Sequence, residues 1–130
     1  ENNLNNIKIW PDDIRKIINS LPSQSFSEVK LLFPDPWPKL KHQNRRLVQA
    51  DFLNSIYKIL KIKGTITIGT DHTILKSWIL DVFQANLKFD WQVEDSKDWR
   101  TRPKECFATK YEEKSLREKR KPSWFVFSKK

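Results

Sequence analysis

Four scarcities bound what this chain of 130 residues can do. Glycine occurs only at Gly64 and Gly69. That excludes a GxGxxG turn or a phosphate-cradling P-loop within these residues, because both need several glycines at fixed spacing. Cys106 is the lone cysteine, so there is no disulfide framework and no Cys-based metal-ligand spacing. No metal site is expected. No apolar run approaches the roughly 18 residues of a membrane span. The opening ENNLNNIKIW is too polar for a signal or transit peptide, which leaves a cytoplasmic location as the expectation. Methionine is absent altogether, so Glu1 is not expected to be a translation start.

What is abundant is positive charge and aromatic surface. Twenty-five Lys and Arg face 16 Asp and Glu, a formal charge of +9 with a pI near 9.7. Such a balance points to a polyanionic partner, nucleic acid or an anionic membrane, or else to a merely solvated basic surface. Six Trp and eight Phe suffice for the core of one small domain.

Along the chain, strand and helix patterns alternate. Ile7–Trp10 alternates as a short strand, and Asp12 is placed to cap the next turn, where Ile14, Ile17, Ile18 and Leu21 repeat at helical spacing. Val29–Phe33 is nearly continuous in apolar residues, as in a strand covered on both faces. The spacing of Val48, Phe52, Ile56, Ile59 and Leu60 predicts a helix from about Arg45 to Ile62, with Gly64 as its C′ residue. Thr65–Ile68 predicts a strand running into Gly69-Thr70-Asp71, and Leu75, Trp78, Ile79 and Val82 a second long helix. Leu87–Trp91 and Trp124–Phe127 predict two more strands. Residues 94–108 read as a charged loop, and Ser115–Lys121 as a basic turn or loop. The alternation implies an α/β fold with a mostly parallel sheet, whose ligands sit at the carboxyl ends of strands.

FPDPWPK, residues 33–39, lies at one such end. Pro34, Pro36 and Pro38 fix their own φ and restrict the residue before each. The loop therefore holds a carboxylate (Asp35), an indole (Trp37) and a cation (Lys39) with little entropy left to lose. That set suits a planar polar ligand such as a base, unless the loop is only a rigid turn with Trp37 packed in the core. Lys39, Lys41, His42, Arg45 and Arg46 follow as a basic cluster. Arg45 and Arg46 fall at the predicted helix N-terminus, where the dipole disfavours cations, so phosphate contact explains them better than helix stability. Lys97, Arg100, Arg102 and Lys104 form a second cluster. Lys110, Lys114, Arg117, Lys119, Arg120 and Lys121 form a third, interleaved with Trp99, Phe107 and Tyr111. Rings that stack on bases and cations that meet phosphates suit RNA, although Trp99 and Phe107 equally serve to anchor a loop. His42 has no Ser or Cys beside it and reads as an exposed or phosphate-side residue. His72 reads as structural and Cys106 as inert.

FPDPWPKLKHQNRRL at 33–47, GTD at 69–71, RP at 102–103, TKYE at 109–112 and the closing aromatic strand together resemble, in that order, the bacterial tRNA (guanine-N7)-methyltransferases. The resemblance covers the chain from Asn6 onward. It implies a class I S-adenosylmethionine-dependent methyltransferase (Rossmann-like) fold, present in part, with an antiparallel C-terminal strand. It implies tRNA as partner, S-adenosylmethionine as cofactor, and methylation at N7 of guanine 46 in the variable loop. By resemblance Asp35 is the catalytic acidic residue where cofactor and base meet, and Asp12 is a second cofactor-binding carboxylate. Lys39, Asp71, Thr109, Lys110, Tyr111 and Glu112 then correspond to substrate-binding positions. Trp37, Lys41, His42, Arg45, Arg46, Arg102 and Arg117 are the candidates for RNA contact. N7 of guanine carries a free lone pair, so no general base is needed. A fixed Asp35 would stabilise the charge that develops there, hold the guanine edge, or hold the cofactor.

The family's opening strand, Gly-rich turn, helix and acidic-ended second strand have no counterpart here. Residues 1–130 are thus expected to be the C-terminal part of one methyltransferase domain, inactive alone. Ile7–Trp10 would then hang loose or pair directly with Val29–Phe33; failing that pairing, the latter strand becomes an exposed edge. A non-catalytic RNA-binding remnant or subunit is the alternative.

Overall fold

The computed structural model describes residues 3–130. Four strands form one sheet in the order β1-β2-β4-β3: β1 Phe26–Leu32, β2 Leu60–Thr70, β3 Phe89–Trp91 and β4 Ser123–Lys129. β1 and β2 pair in parallel, while β4 runs antiparallel to both β2 and β3. Three strands therefore share one direction and only the last opposes them, as expected. Four α-helices accompany the sheet: α1 Ala50–Ile59, α2 Thr73–Gln84, α3 Ser96–Arg100 and α4 Lys110–Arg117. No helix among the described residues is long and apolar enough to cross a membrane.

The register sorts the side chains. Val29, Leu31, Ile66, Ile68, Phe125 and Phe127 stand opposite one another across the strands and so share a face. Phe52, Leu53 and Ile56 of α1 and Leu75, Ile79 and Phe83 of α2 join that face in one core cluster. The rings of Phe83 and Phe127 stack with centroids 3.7 Å apart. Lys30, Thr67, Gly69, Trp124 and Val126 occupy the other face, where Lys30 Nζ reaches the Glu105 carbonyl oxygen at 3.0 Å. Gly69 has a packing reason to be glycine: a Cβ there would lie 2.7 Å from the Trp124 indole.

Several expectations are corrected. Ile7–Trp10 forms no strand and is exposed, Ile9 to 84%. It joins no strand of the sheet, so β1 is an edge strand, and Phe26–Glu28 and Lys30 are exposed rather than covered on both faces. The segment after it forms two short 3₁₀ turns, Ile14–Lys16 and Ile18–Ser20, the first capped by Asp13 rather than Asp12. The long helix is shorter than its apolar spacing suggests. Leu40–Arg45 is 3₁₀, Gln49 is extended, and α1 starts only at Ala50. At its other end α1 passes directly into β2, with Leu60 facing Phe26. Lys61–Gly64 then bulge out between the Phe26–Leu60 and Glu28–Thr65 pairs. Gly64 therefore lies inside a strand, not at a helix end, and it lets the Lys61 carbonyl approach to within 2.7 Å of where a Cβ would stand. The stretch 94–108 is not wholly loop: α3 is nucleated by a reciprocal cap between Asp95 and Asp98.

Candidate active site and nucleic-acid interface

Because β1 and β2 are parallel and in register at Leu32 and Gly69, the segments that leave them emerge on one rim. FPDPWPK follows β1 and Thr70-Asp71 follows β2. The Phe33 amide still donates to the Gly69 carbonyl at 2.7 Å, which ties the two exits together. β4 starts on the same rim, since Ser123 pairs with Thr70.

The proline-rich loop is held from beneath. Arg46 is 4% exposed, and its guanidinium donates Nε to the Pro36 and Trp37 carbonyls at 3.1 and 3.2 Å and Nη2 to Trp37 at 3.0 Å. The same guanidinium stacks 4.7 Å from the centre of the Trp78 ring, whose Nε1 donates to the Val48 carbonyl at 2.7 Å. Arg46, expected at the RNA surface beside a helix N-terminus, is thus corrected to an inward strut of the loop. Neither it nor Arg45 lies at the start of α1.

This fixing leaves the loop's functional groups outward. Asp35 is exposed, and its carboxylate has no hydrogen-bond or ion-pair partner among the described residues. Trp37 adopts a positive φ of 44° and is half-buried, not packed in the core. Arg45 stacks 5.0 Å from its ring centre, and His42 meets its edge at 5.7 Å. Lys39 and Lys41 extend into solvent. Asp35 and Trp37 border an open cleft of about 540 Å³ whose opposite wall includes Asp13 and Arg15. The salt bridge and hydrogen bonds from Arg15 lower the Asp13 carboxyl to about 2. The neighbouring Asp12, expected to bind cofactor, is held by Lys16 Nζ at 2.6 Å and by the Asp13 amide, which together lower its pKa.

The remaining substrate-binding candidates build the rim as much as they decorate it. Thr109 is the N-cap of α4, its hydroxyl accepting from the Glu112 amide at 3.2 Å. The Glu112 carboxylate pairs with Arg102 Nε at 3.1 Å, and Arg102 Nη1 donates to the Cys106 carbonyl at 2.6 Å. Asp71 accepts from the Ser115 hydroxyl and from Arg120 Nε at 2.7 Å, so it pins α4 to the end of β2. Burial alone would raise the Asp71 pKa, but the hydrogen bonds from Ser115 and Arg120 together with the Arg120 charge outweigh it and lower the carboxyl below its ordinary value. Tyr111 is 65% exposed and stacks on Phe33 at 6.3 Å, while Phe33 meets Trp124 edge-on at 5.8 Å. Lys110 and Arg117 are exposed on α4. The fold thus brings FPDPWPK, GTD and TKYE together through Phe33, Tyr111 and Asp71.

Sequence reasoning missed Asp13 as the wall of the cleft and Arg46 as the strut. It also overlooked a readable signal: Thr109-x-x-Glu112 has the spacing of a helix cap.

Comparison with known proteins supplies the family. A family model described as "Putative methyltransferase" matches residues 1–124. Two curated relatives named "tRNA (guanine-N(7)-)-methyltransferase" are similar: one from Hyphomonas neptunium is 39% identical over 98% of this chain and 58% of its own length. Another, from Bartonella quintana, is 38% identical over 97% of this chain and 54% of its own. The chain therefore spans about half the length of the curated relatives it matches. A solved SAM-dependent methyltransferase from Archaeoglobus fulgidus aligns over 95% of this chain and 68% of that one, at 9% identity and a TM-score of 0.49, a likeness too loose to build on. On the family match, the chain belongs to this family of methyltransferases.

Proposed function

We propose that the protein formed by this chain methylates N7 of a tRNA guanine, at position 46 of the variable loop, with S-adenosylmethionine as donor. The names of the relatives support the substrate, and one structural observation carries the chemistry. Asp35, a carboxylate without partners among the described residues, stands on a braced loop beside a Trp37 face, at the carboxyl end of a strand.

The cleft is open enough for one end of the donor, whose cationic groups suit the unpaired Asp35 carboxylate, Asp13 being already engaged by Arg15, while Leu31 and Leu47 offer apolar wall. When bound, S-adenosylmethionine supplies a methyl group activated on a sulfonium. Asp35 then faces the charge that appears on N7 as its lone pair is used, and because Arg46 has already fixed the loop, that stabilisation needs no rearrangement. Trp37 orients the flat base, and Lys39, Lys41 and Arg45 meet flanking phosphates. Tyr111 and Lys110 approach from α4. We expect the 130 residues alone to bind the donor weakly, and a tRNA substrate places the work in the cytoplasm.

The test is Asp35→Asn in the complete protein, read by cleavage of tRNA at N7-methylguanine. Methyl transfer should fall about 10²-fold or more, as when one preorganised electrostatic group is removed. tRNA affinity should stay within about threefold, a change worth well under 1 kcal/mol. Wild-type methylation left intact in the variant would overturn the assignment. The exposed cations around Asp35 favour a second reading, a non-catalytic RNA-binding subunit. That reading stands if tRNA binds but no guanine is methylated.

A further inference from the structure

A groove on the same rim leads away from the site above at Asp71. It starts beside Asp71 and His72, passes Lys76 and Lys121, and continues to Trp99 and Arg100. Two cavities of about 530 and 510 Å³ make it up and share Lys76 and Lys121 as common wall. Three elements distant in sequence converge there: the first turn of α2, the end of α3 and the connection from α4 to β4. Lys76 Nζ donates to the Lys121 carbonyl at 2.8 Å, which fixes that connection against α2. Burial lowers the Lys76 pKa, so its ammonium is partly stripped of water. Arg100 lies over the half-buried Trp99 ring at 4.7 Å, presenting a guanidinium plane outward on an aromatic base.

The charge in this groove is one-sided. The outer half is bordered by Lys76, Arg100 and Lys121 and, among the described residues, by no carboxylate. At the inner end the one acid, Asp71, is already engaged by Ser115 and Arg120. His72 Nδ1 is buried there without a hydrogen-bond partner among the described residues. Arg100 and Lys121 are thus left without a matching anion along the groove, Lys76 feels only an Asp71 that Arg120 already engages, and a guanidinium backed by an indole is a stacking surface for a base.

We propose that this groove binds the sugar–phosphate backbone of a single-stranded RNA segment, with Lys76 and Lys121 on phosphates and Arg100, backed by Trp99, stacked on a base. It rests on the reading of the protein as acting on RNA, and it places nucleotides flanking the target along the rim from Asp71 outward.

The experiment measures binding of a tRNA transcript to the complete protein across a salt series. One variant combines Lys76→Met, Arg100→Ala and Lys121→Ala. The control combines Lys58→Ala, Lys61→Ala and Lys63→Ala, which removes equal charge from the α1–β2 junction. Thermal unfolding checks that both fold. The groove variant should bind about tenfold or more weakly, and its salt slope should flatten by about two, near one for each phosphate that is no longer neutralised. The control should change affinity by less than about threefold. Equal losses in the two variants, or no RNA binding by the wild type, overturn the groove. Assay of N7-methylguanine on the complete protein separates the two claims. Methylation with an inert groove leaves the function standing and the groove refuted, and a sensitive groove without methylation does the reverse.

Discussion

Arg46 Nη2 lies 3.0 Å from the Trp37 carbonyl oxygen, and that contact joins the buried interior to the most exposed chemistry of the chain. A cation with no carboxylate partner among the described residues is kept inside by two carbonyls and the face of Trp78. Replacing it by Arg46→Met leaves the carbonyls of Pro36 and Trp37 unpaired and should cost about 2–4 kcal/mol in urea unfolding. Arg46→Lys should recover only part, because an ammonium cannot fork to two acceptors and stack at once. Limited proteolysis should find residues 34–39 more open in both variants. An unchanged cleavage pattern would show that Arg46 does not hold the loop.

Gly69 gives a second, local test. Its absent side chain is the space filled by the Trp124 indole. Gly69→Ala should destabilise by about 1–3 kcal/mol, the usual cost of overpacking, read as a lower Tm. A neutral result would mean that Trp124 shifts at no cost.

Thr109 separates capping from substrate contact. Thr109→Ala should remove about 1 kcal/mol of local stability from α4, visible as faster amide exchange at Glu112 and Glu113. Thr109→Ser keeps the capping hydroxyl and should leave exchange unchanged. Any loss of methyl transfer in the Ser variant then reports contact with substrate rather than with the helix.

Asp71 sets a pH dependence. Its carboxyl is lowered in the folded state, so between the folded and unfolded pKa values the unfolded chain binds the extra proton. Stability from this group is complete above its ordinary value of 3.8 and is lost as pH falls through the folded value. Asp71→Asn should flatten that part of the acid limb in urea midpoints, and an unaltered limb would place the sensitivity elsewhere.

The sequence disclosed most where pattern and environment agreed. The Leu75, Ile79 spacing of α2 was readable because one face of the helix is buried, and the Thr-Ile alternation of β2 because its two faces differ in residue type, although Ile66–Thr70 is buried on both. So was the shared rim, which needs only parallel strands. Ile7–Trp10 misled because alternation describes one strand, whereas a strand exists only beside another. The helix over Arg45–Ile62 misled because apolar spacing continues through Val48 while Arg46 is drawn away to the loop and Gln49 is extended. An inward arginine and an outward one look alike in a basic run. Nothing in KHQNRR distinguishes Arg46 from Arg45 until the chain is folded.

The strand order has a consequence for how the molecule forms. β3 touches the sheet only through β4, and β4 lies between β2 and β3 although it comes last of the four. A ribosome making this chain delivers α2 and β3 well before residues 123–129, so Phe89 and Trp91 wait without strand partners until then. Closing that long-range pairing should be the slow step of folding, as expected where contacts are distant in sequence. Until it closes, β2 has a neighbour on its β1 side only, and the rim beside Asp71 lacks the Ser123 end of β4.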